Sequence, residues 1–407
     1  MKFKSLPVCT LLVMVATAVD AADPIKDLSD WLARKPDERG RLDAEKFGST
    51  ALSRKQAAEA TELLVRDFQA GIRKNRKQEW SKKVIQLDQL SMKFEFRTFG
   101  KKPESGRSLF ISMHGGGGAP ARVNDQQWQN QIRLYEPREG VYLAPRAPTN
   151  TWNLWHQGHI DEFFERIIED AIVFEGVNPN RVYLMGYSAG GDGVYQLAPR
   201  MADSLAAAAM MAGHPNDASP LGLRNIGFTL HMGGKDGAYN RNGVARKWKT
   251  MLAEMQKEDP QGYRHEVVIH EQYGHWMNRD DRVAVPWMAK FTREPNPGKV
   301  VWRQSGKTHD RFYWLAVNPE NRKGGSVVIA TRDGNSFKIE KSEKVNQLVV
   351  RLNDEIADLD RAVRIALPDG KTVEKKPVRT IQTIAKCLTE RFDPAAVYSA
   401  EIVVEIE

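Results

Sequence analysis

The amino-acid sequence predicts an α/β protein. A mostly parallel sheet flanked by helices is preceded by a helical N-terminal extension and followed by a small C-terminal β-sandwich-like domain. Three observations carry this reading. Between residues 91 and 298 short apolar runs alternate with amphipathic stretches of helical period, the pattern of a parallel sheet covered on both faces. Inside that region a glycine-framed serine, Gly186-Tyr187-Ser188-Ala189-Gly190, stands between a strand run and a helix run. After Pro295-Asn296-Pro297-Gly298 the pattern turns β-rich.

The chain of 407 residues is too long for one ordinary domain. Lys2 and Lys4 followed by the apolar run Leu6–Val19 and small residues near Ala21 and Ala22 read as a secretory signal over 1–22. The run is shorter than the roughly 20 apolar residues that a membrane span needs. The expectation is a secreted or periplasmic protein with no membrane span once the signal is removed. Cys9 would leave with the signal, so Cys387 would have no internal disulfide partner.

Residues 23–90 are predicted as a helical extension. Ser53 is placed to cap a helix through Ala57, Ala60, Leu64 and Phe68, and a second amphipathic stretch surrounds Trp80, Val84 and Leu87. Residues 91–298 form the expected catalytic domain. Phe94–Phe99, Leu109–Met113, Val141–Ala144, Arg181–Met185, Phe228–Met232 and Glu266–His270 read as strands. Asp161–Glu175, Val194–Met201 and Val244–Met255 read as helices, and Val283–Phe291 as a closing helix interrupted by Pro286. Ala206–Met211 fits strand or helix. Residues 299–407 form the β-rich domain, with runs at Arg311–Val317, Ser326–Thr331, Ser336–Glu340, Gln347–Leu352, Ala362–Leu367 and Tyr398–Glu405. Asp333-Gly334 and Asp369-Gly370 mark hairpin turns.

The formal net charge is +8, and the basic residues are dispersed apart from Arg73–Lys77. That run reads as a solvated helix end, and no dense basic patch with interleaved aromatics points to nucleic acid.

The chemistry concentrates around Ser188. G-x-S-x-G between strand and helix is the nucleophile-elbow pattern: small neighbours let the turn lift the serine hydroxyl above the sheet edge. His114-Gly115-Gly116-Gly117-Gly118, after the Leu109 strand, resembles an oxyanion loop of H-G-G-G type. Gly116 and Gly117 are its expected N–H donors, with the N–H of Ala189 as partner. An acid and a histidine should follow in that order, on loops at the carboxyl ends of strands. Asp236 follows the Phe228 strand and His275 follows the Glu266 strand. Asp192 falls on the first turn of the following helix, and Asp217 and Asp259 lack the strand-end setting. His231, His265 and His270 belong to strands, and His214 is expected near the pocket rather than as the base.

Such a set supports acyl transfer. The histidine takes the serine proton during attack on a carbonyl, the aspartate orients the imidazole, and an acyl-enzyme forms and is hydrolysed. There is no H-E-x-x-H and no C-x-x-C, so neither metal nor cofactor is expected. Trp152, Trp155 and His156 on the loop after the Val141 strand, with Tyr187 and Trp276 beside the two key residues, are expected substrate contacts.

The chain resembles the polyhydroxybutyrate-depolymerase and feruloyl-esterase branch of α/β-hydrolases. The resemblance lies in His114–Gly118, in Asn178-Pro-Asn-Arg-Val-Tyr-Leu-Met-Gly-Tyr-Ser188 with Ala-Gly-Gly191, and in Tyr273-Gly-His-Trp276. It covers about residues 91–292. It implies an α/β-hydrolase fold and a carboxylic-ester hydrolase acting on a small-molecule or polymeric ester, with Ser188, Asp236 and His275 as triad. Arg311-Phe-Tyr-Trp-Leu315 and Leu352-Asn-Asp354 look like an appended β-domain of bacterial exported members. Two other readings compete: a serine peptidase resembling the prolyl-oligopeptidase catalytic domain, and a non-catalytic binding protein acting through the β-domain.

Overall fold

A computed structural model describes residues 23–406. The predicted signal segment and Cys9 lie outside the described residues.

The extension opens with helix α1 (Pro24–Ala33), whose first turn is capped by the Asp23 carboxylate. A short α2 (Lys46–Ser49) precedes α3 (Arg54–Asn75). Ser53 caps α3 as expected, in a reciprocal arrangement with Gln56. α4 (Lys77–Lys82) ends at Lys83, which is left-handed. The predicted helical stretch stops there. Val84–Leu87 forms strand β1, paired antiparallel with β2 (Leu90–Phe99), so the sheet begins before residue 91. The apolar side chains around Trp80 do not continue a helix; the indole stacks on Phe96 and packs on Phe94 of β2, and the chain turns into the sheet edge.

Then follow β3 (Arg107–Met113), α5 (Ala121–Gln131), β4 (Gly140–Pro145), α6 (His159–Glu175), β5 (Val177–Tyr187), α7 (Ala189–Arg200), β6 (Ala207–Met211), β7 (Gly227–Gly233), α8 (Arg241–Glu258), β8 (His265–His270) and α9 (Ala284–Met288). The order across the sheet is β1-β2-β4-β3-β5-β6-β7-β8. β2 runs antiparallel to β4, and every pairing from β4 to β8 is parallel. This is the α/β-hydrolase fold. Ala207–Met211 is a strand, buried on both faces as a central parallel strand must be. The closing helix is shorter than the apolar run that predicts it.

The C-terminal region holds β9 (Lys299–Arg303), β10 (Arg311–Phe312), β11 (Leu315–Ala316), β12 (Val327–Asp333), β13 (Ser336–Glu343), β14 (Gln347–Leu352), β15 (Val363–Ala366), β16 (Thr372–Lys375), α10 (Ile381–Glu390) and β17 (Ala400–Glu405). They build two sheets, ordered β16-β15-β13-β12-β9 and β10-β11-β14-β17. The Asp333-Gly334 and Asp369-Gly370 hairpins occur where expected. The run Arg311–Val317 is two short strands rather than one, because Tyr313 turns the chain at φ 54°. α10 is absent from the sequence reading; it packs on α3, where the Leu52 N–H donates to the Arg379 carbonyl.

The linker-like stretch at Pro295–Gly298 is not loose. Trp314 Nε1 donates to the Pro297 carbonyl, and Asn296 is buried. One continuous apolar core runs from Ile25 through Leu184 to Ile406. Beside it, the buried Arg293 guanidinium donates to Asp393 at 2.6 and 3.0 Å, to the Asp203 carbonyl and to Asn180, tying the β-rich region to the main sheet. Removing one partner of a buried pair strands the other charge, at a cost of about 3–5 kcal/mol. Arg293→Ala should therefore lower the unfolding free energy in urea by about that amount. R293M/D393L, which removes both charges, should lose clearly less.

Candidate active site

β5 delivers Ser188 to a turn that side chains rarely occupy, with φ 58° and ψ −121°. Such a conformation costs about 1–3 kcal/mol and persists only where the surroundings enforce it. Here the Ser188 N–H donates to the Met211 carbonyl of β6 at 2.9 Å. The neighbouring glycines are obligatory on contact grounds. A Cβ on Gly186 would lie 2.3 Å from the Gly190 carbonyl oxygen, one on Gly190 2.2 Å from that of Met113, and one on Gly191 2.4 Å from that of Met211.

Ser188 Oγ stands 2.9 Å from His275 Nε2, and His275 Nδ1 stands 2.7 Å from Asp236 Oδ2. Asp236 is buried, whereas the His275 side chain is 43% exposed, so the site opens at the surface rather than in a deep cavity. Asp236 and His275 sit on the loops after β7 and β8. A Cβ on Gly233 would fall 1.9 Å from the Gly274 carbonyl oxygen, so only glycine lets the two loops close to hydrogen-bonding range. Arg241 Nη1 lies 3.6 Å from the second Asp236 oxygen.

Tyr187, expected to touch substrate, is buried. Its hydroxyl donates to the His275 carbonyl at 2.6 Å and accepts from the Met277 N–H at 3.1 Å. It fastens the histidine loop from below.

The glycine loop His114–Gly118 departs from expectation at one position. The Gly117 N–H donates to Asn124 Oδ1 at 3.0 Å, which commits it elsewhere. Asn124, buried on α5, also donates to the Gly117 carbonyl and to Asn150. Its role is invisible in sequence, where it is one polar residue in a polar helix. Neither the Gly116 nor the Ala189 N–H donates to another protein group among the described residues, so these two stay open. A Cβ on Gly115 would lie 3.2 Å from Ser188 Cβ, so the loop rests directly on the serine.

His114 anchors this loop. Its Nε2 accepts from the Ala147 N–H, so Nδ1 carries the proton and donates to the Gly115 carbonyl at 2.6 Å. Burial pushes its pKa down to about 4.

Trp155, an expected substrate contact, is fully buried and donates Nε1 to the His114 carbonyl, so it belongs to the core beneath the loop. Trp152 and Trp276 are exposed at the rim. His156 is half-buried and meets Trp152 edge-on; burial, then the charge of Arg200, bring its pKa down to about 4. The sequence reading missed Tyr239, which follows Asp236 on the same loop, is 79% exposed and carries the Arg241 guanidinium 4.9 Å from its ring centre. These three aromatics are the exposed ones among the described residues, and all lie in the loops around Ser188.

The rival residues are engaged elsewhere. The Asp192 carboxylate accepts from the His214 N–H, and burial raises its pKa to about 6. Asp259 pairs with Arg224, Asp217 accepts from Gln196, His231 meets His270 and Thr229, and His265 Nδ1 lies against the Tyr263 carbonyl. Among the described residues no group of three or more acidic, His or Cys side chains is arranged to hold a metal, and no helix is long and apolar enough to cross a membrane.

No family model and no curated protein matches the chain. Solved structures do. A thermostable esterase aligns at 15% identity over 52% of this chain and 62% of its own, with a TM-score of 0.38. Esterase 2 of Thermogutta terrifontis aligns at 16% identity over 51% of this chain and 89% of its own, with a TM-score of 0.35. Est1E from Butyrivibrio proteoclasticus aligns at 14% identity over 51% of this chain and 95% of its own, with a TM-score of 0.33. The chain thus spans under two thirds of the first of these.

Two predictions follow from the geometry. His114 is held neutral, with a pKa of about 4 against 6.5 for a free imidazole. Its contribution is complete above pH 6.5, declines as pH falls and is gone below about 4, a span worth about 3 kcal/mol. Urea unfolding at stepped pH should show this loss in the wild type, and a smaller one in His114→Asn. Tyr187→Phe should release the His275 loop while costing only about 1–3 kcal/mol of stability for its two hydrogen bonds. The rate of serine labelling by a fluorophosphonate should fall about 10- to 100-fold, as displacements near 1 Å do.

Proposed function

We propose that this protein is a serine hydrolase that cleaves carboxylic esters through an acyl-enzyme on Ser188. The observation that carries the proposal is the continuous chain from Ser188 Oγ through His275 to Asp236, at 2.9 and 2.7 Å.

In this reading His275 Nε2 takes the Ser188 proton as Oγ attacks the ester carbonyl, and Asp236 holds Nδ1–H and the imidazolium charge. The oxyanion of the tetrahedral intermediate sits against the free N–H groups of Ala189 and Gly116; one such donor is typically worth about 2.7–4 kcal/mol. His275 then gives its proton to the leaving alkoxide, and water, deprotonated by the same imidazole, releases the acid. The open site and the exposed Trp152, Trp276 and Tyr239 support an ester borne on an aromatic or extended group that lies across the surface.

The test is a fluorophosphonate label with peptide mapping, then hydrolysis of nitrophenyl acetate and butyrate, an aryl-acrylate ester and aminoacyl-anilides. Labelling at Ser188 is expected, lost in Ser188→Ala, with ester turnover down by at least about 10⁴-fold in His275→Ala. Turnover of anilides without esters would replace the reading with a peptidase. No labelling of folded protein would remove the hydrolase assignment altogether.

A further inference from the structure

A cavity of about 600 Å³ is lined by part of the segment that follows His275. None of Ser188, Asp236 and His275 lines it. Its volume falls within the range of small-molecule sites.

Its two parts differ in chemistry. The floor is apolar, made by Phe110 of β3, Leu134 and Tyr135 after α5, and Val285 of α9. The rim is cationic: Arg138 comes from the segment after α5, and Arg279, Arg282 and Lys290 from the segment around α9. No ion pair engages these four among the described residues. The two acids of the lining are already committed. Glu136 pairs with Arg97 at 2.8 Å, and Glu139 accepts from the Ser108 N–H at 2.7 Å and faces Arg181. Four cations without an ion pair among the described residues therefore border the apolar hollow, beside two carboxylates engaged with other partners. The four cations are exposed and hydrated, and an anion with an apolar body matches both parts, its charge taking hydrogen bonds at the rim and its body covering the floor.

We infer that this cavity is a binding site for an amphiphilic carboxylate: one carboxylate held by the Arg138 and Arg282 guanidinium groups, with an alkyl or aryl body on Phe110, Leu134 and Val285. Arginine suits the task because its planar fork takes a carboxylate through two parallel hydrogen bonds. A chain of about ten carbons fits the volume. The inference does not depend on hydrolysis at Ser188.

The test uses the full chain carrying Ser188→Ala, so that turnover plays no part, with calorimetric titration of decanoate. One saturable site is expected. Decanol, without charge, and acetate, without the apolar body, should each bind at least about tenfold more weakly, since charged hydrogen bonds and buried methylenes are each worth that much. R138A/R282A should weaken decanoate at least about tenfold. Ala289→Trp, at an exposed lining position, should block the cavity while leaving all four cations in place. The fold of both variants is checked by circular dichroism. Decanoate affinity unchanged in both variants would place the ligand elsewhere and overturn the site. Sedimentation with phosphatidylglycerol vesicles, in the absence of decanoate binding, would overturn it in favour of a membrane surface.

Discussion

The site depends on one constrained residue. Ser188 adopts a backbone conformation that non-glycine residues avoid, and it does so because the surrounding chain leaves no alternative. Its N–H is fixed to β6, Gly190 and Gly191 are pressed against the carbonyls of β3 and β6, and α7 begins on the next residue. Carbonyl contacts of 2.2 and 2.4 Å for hypothetical Cβ atoms mean that the sheet chooses glycine at 190 and 191, while the first turn of α7, through the Gly190 carbonyl at 2.3 Å, chooses it at 186. The strain is held by the burial of the strands on either side, so the position of the hydroxyl is a property of the whole sheet.

The partner groups are placed by the same device. Asp236 and His275 come from separate strands, and their separation is set where Gly233 touches Gly274. Tyr187 then pins the far side of the His275 loop from within the elbow itself. The residue before the serine thus holds the loop that carries His275, and serine and imidazole are referenced to a single point of the backbone. Asn124 and His114 do the equivalent for the glycine loop, one by occupying the Gly117 amide and the other by a neutral imidazole bonded at both nitrogens.

Much of this was legible in sequence because it is local. The alternation of strands and helices, the Ser188 elbow, the loop positions of Asp236 and His275, and both Asp-Gly hairpins are each encoded within a few residues of the feature. What was not legible depends on distant partners. Val84–Leu87 is a strand because β2 is there to pair with it; its own residues fit a helix as well. Tyr187 and Trp155 look like pocket aromatics until the chain brings the His275 loop over one and the His114 carbonyl over the other. Gly117 looks like a free donor until Asn124 arrives from α5. α10 is a different failure, since Ile381, Ile384, Cys387 and Leu388 form a helical stripe behind the Thr380 cap and the signal was present to be read.

The β-rich region and the N-terminal helices read as appendages in sequence, yet they share one core with the sheet. Their contacts reach the site's edge. His309, from the β-rich region, bonds to the buried Asp161 of α6 at 2.8 Å, and Asp161 holds Arg200 of α7. Arg200 in turn donates to the carbonyl of His156, whose ring meets Trp152 at the rim. A buried carboxylate shared between a guanidinium and an imidazole is worth little as net stability, because its desolvation offsets the attraction. What it supplies is direction: the charges are satisfied in one relative placement of α6, α7 and the β-rich region. His156, and through it Trp152 at the rim, is therefore positioned partly by a region that supplies none of Ser188, His275 and Asp236.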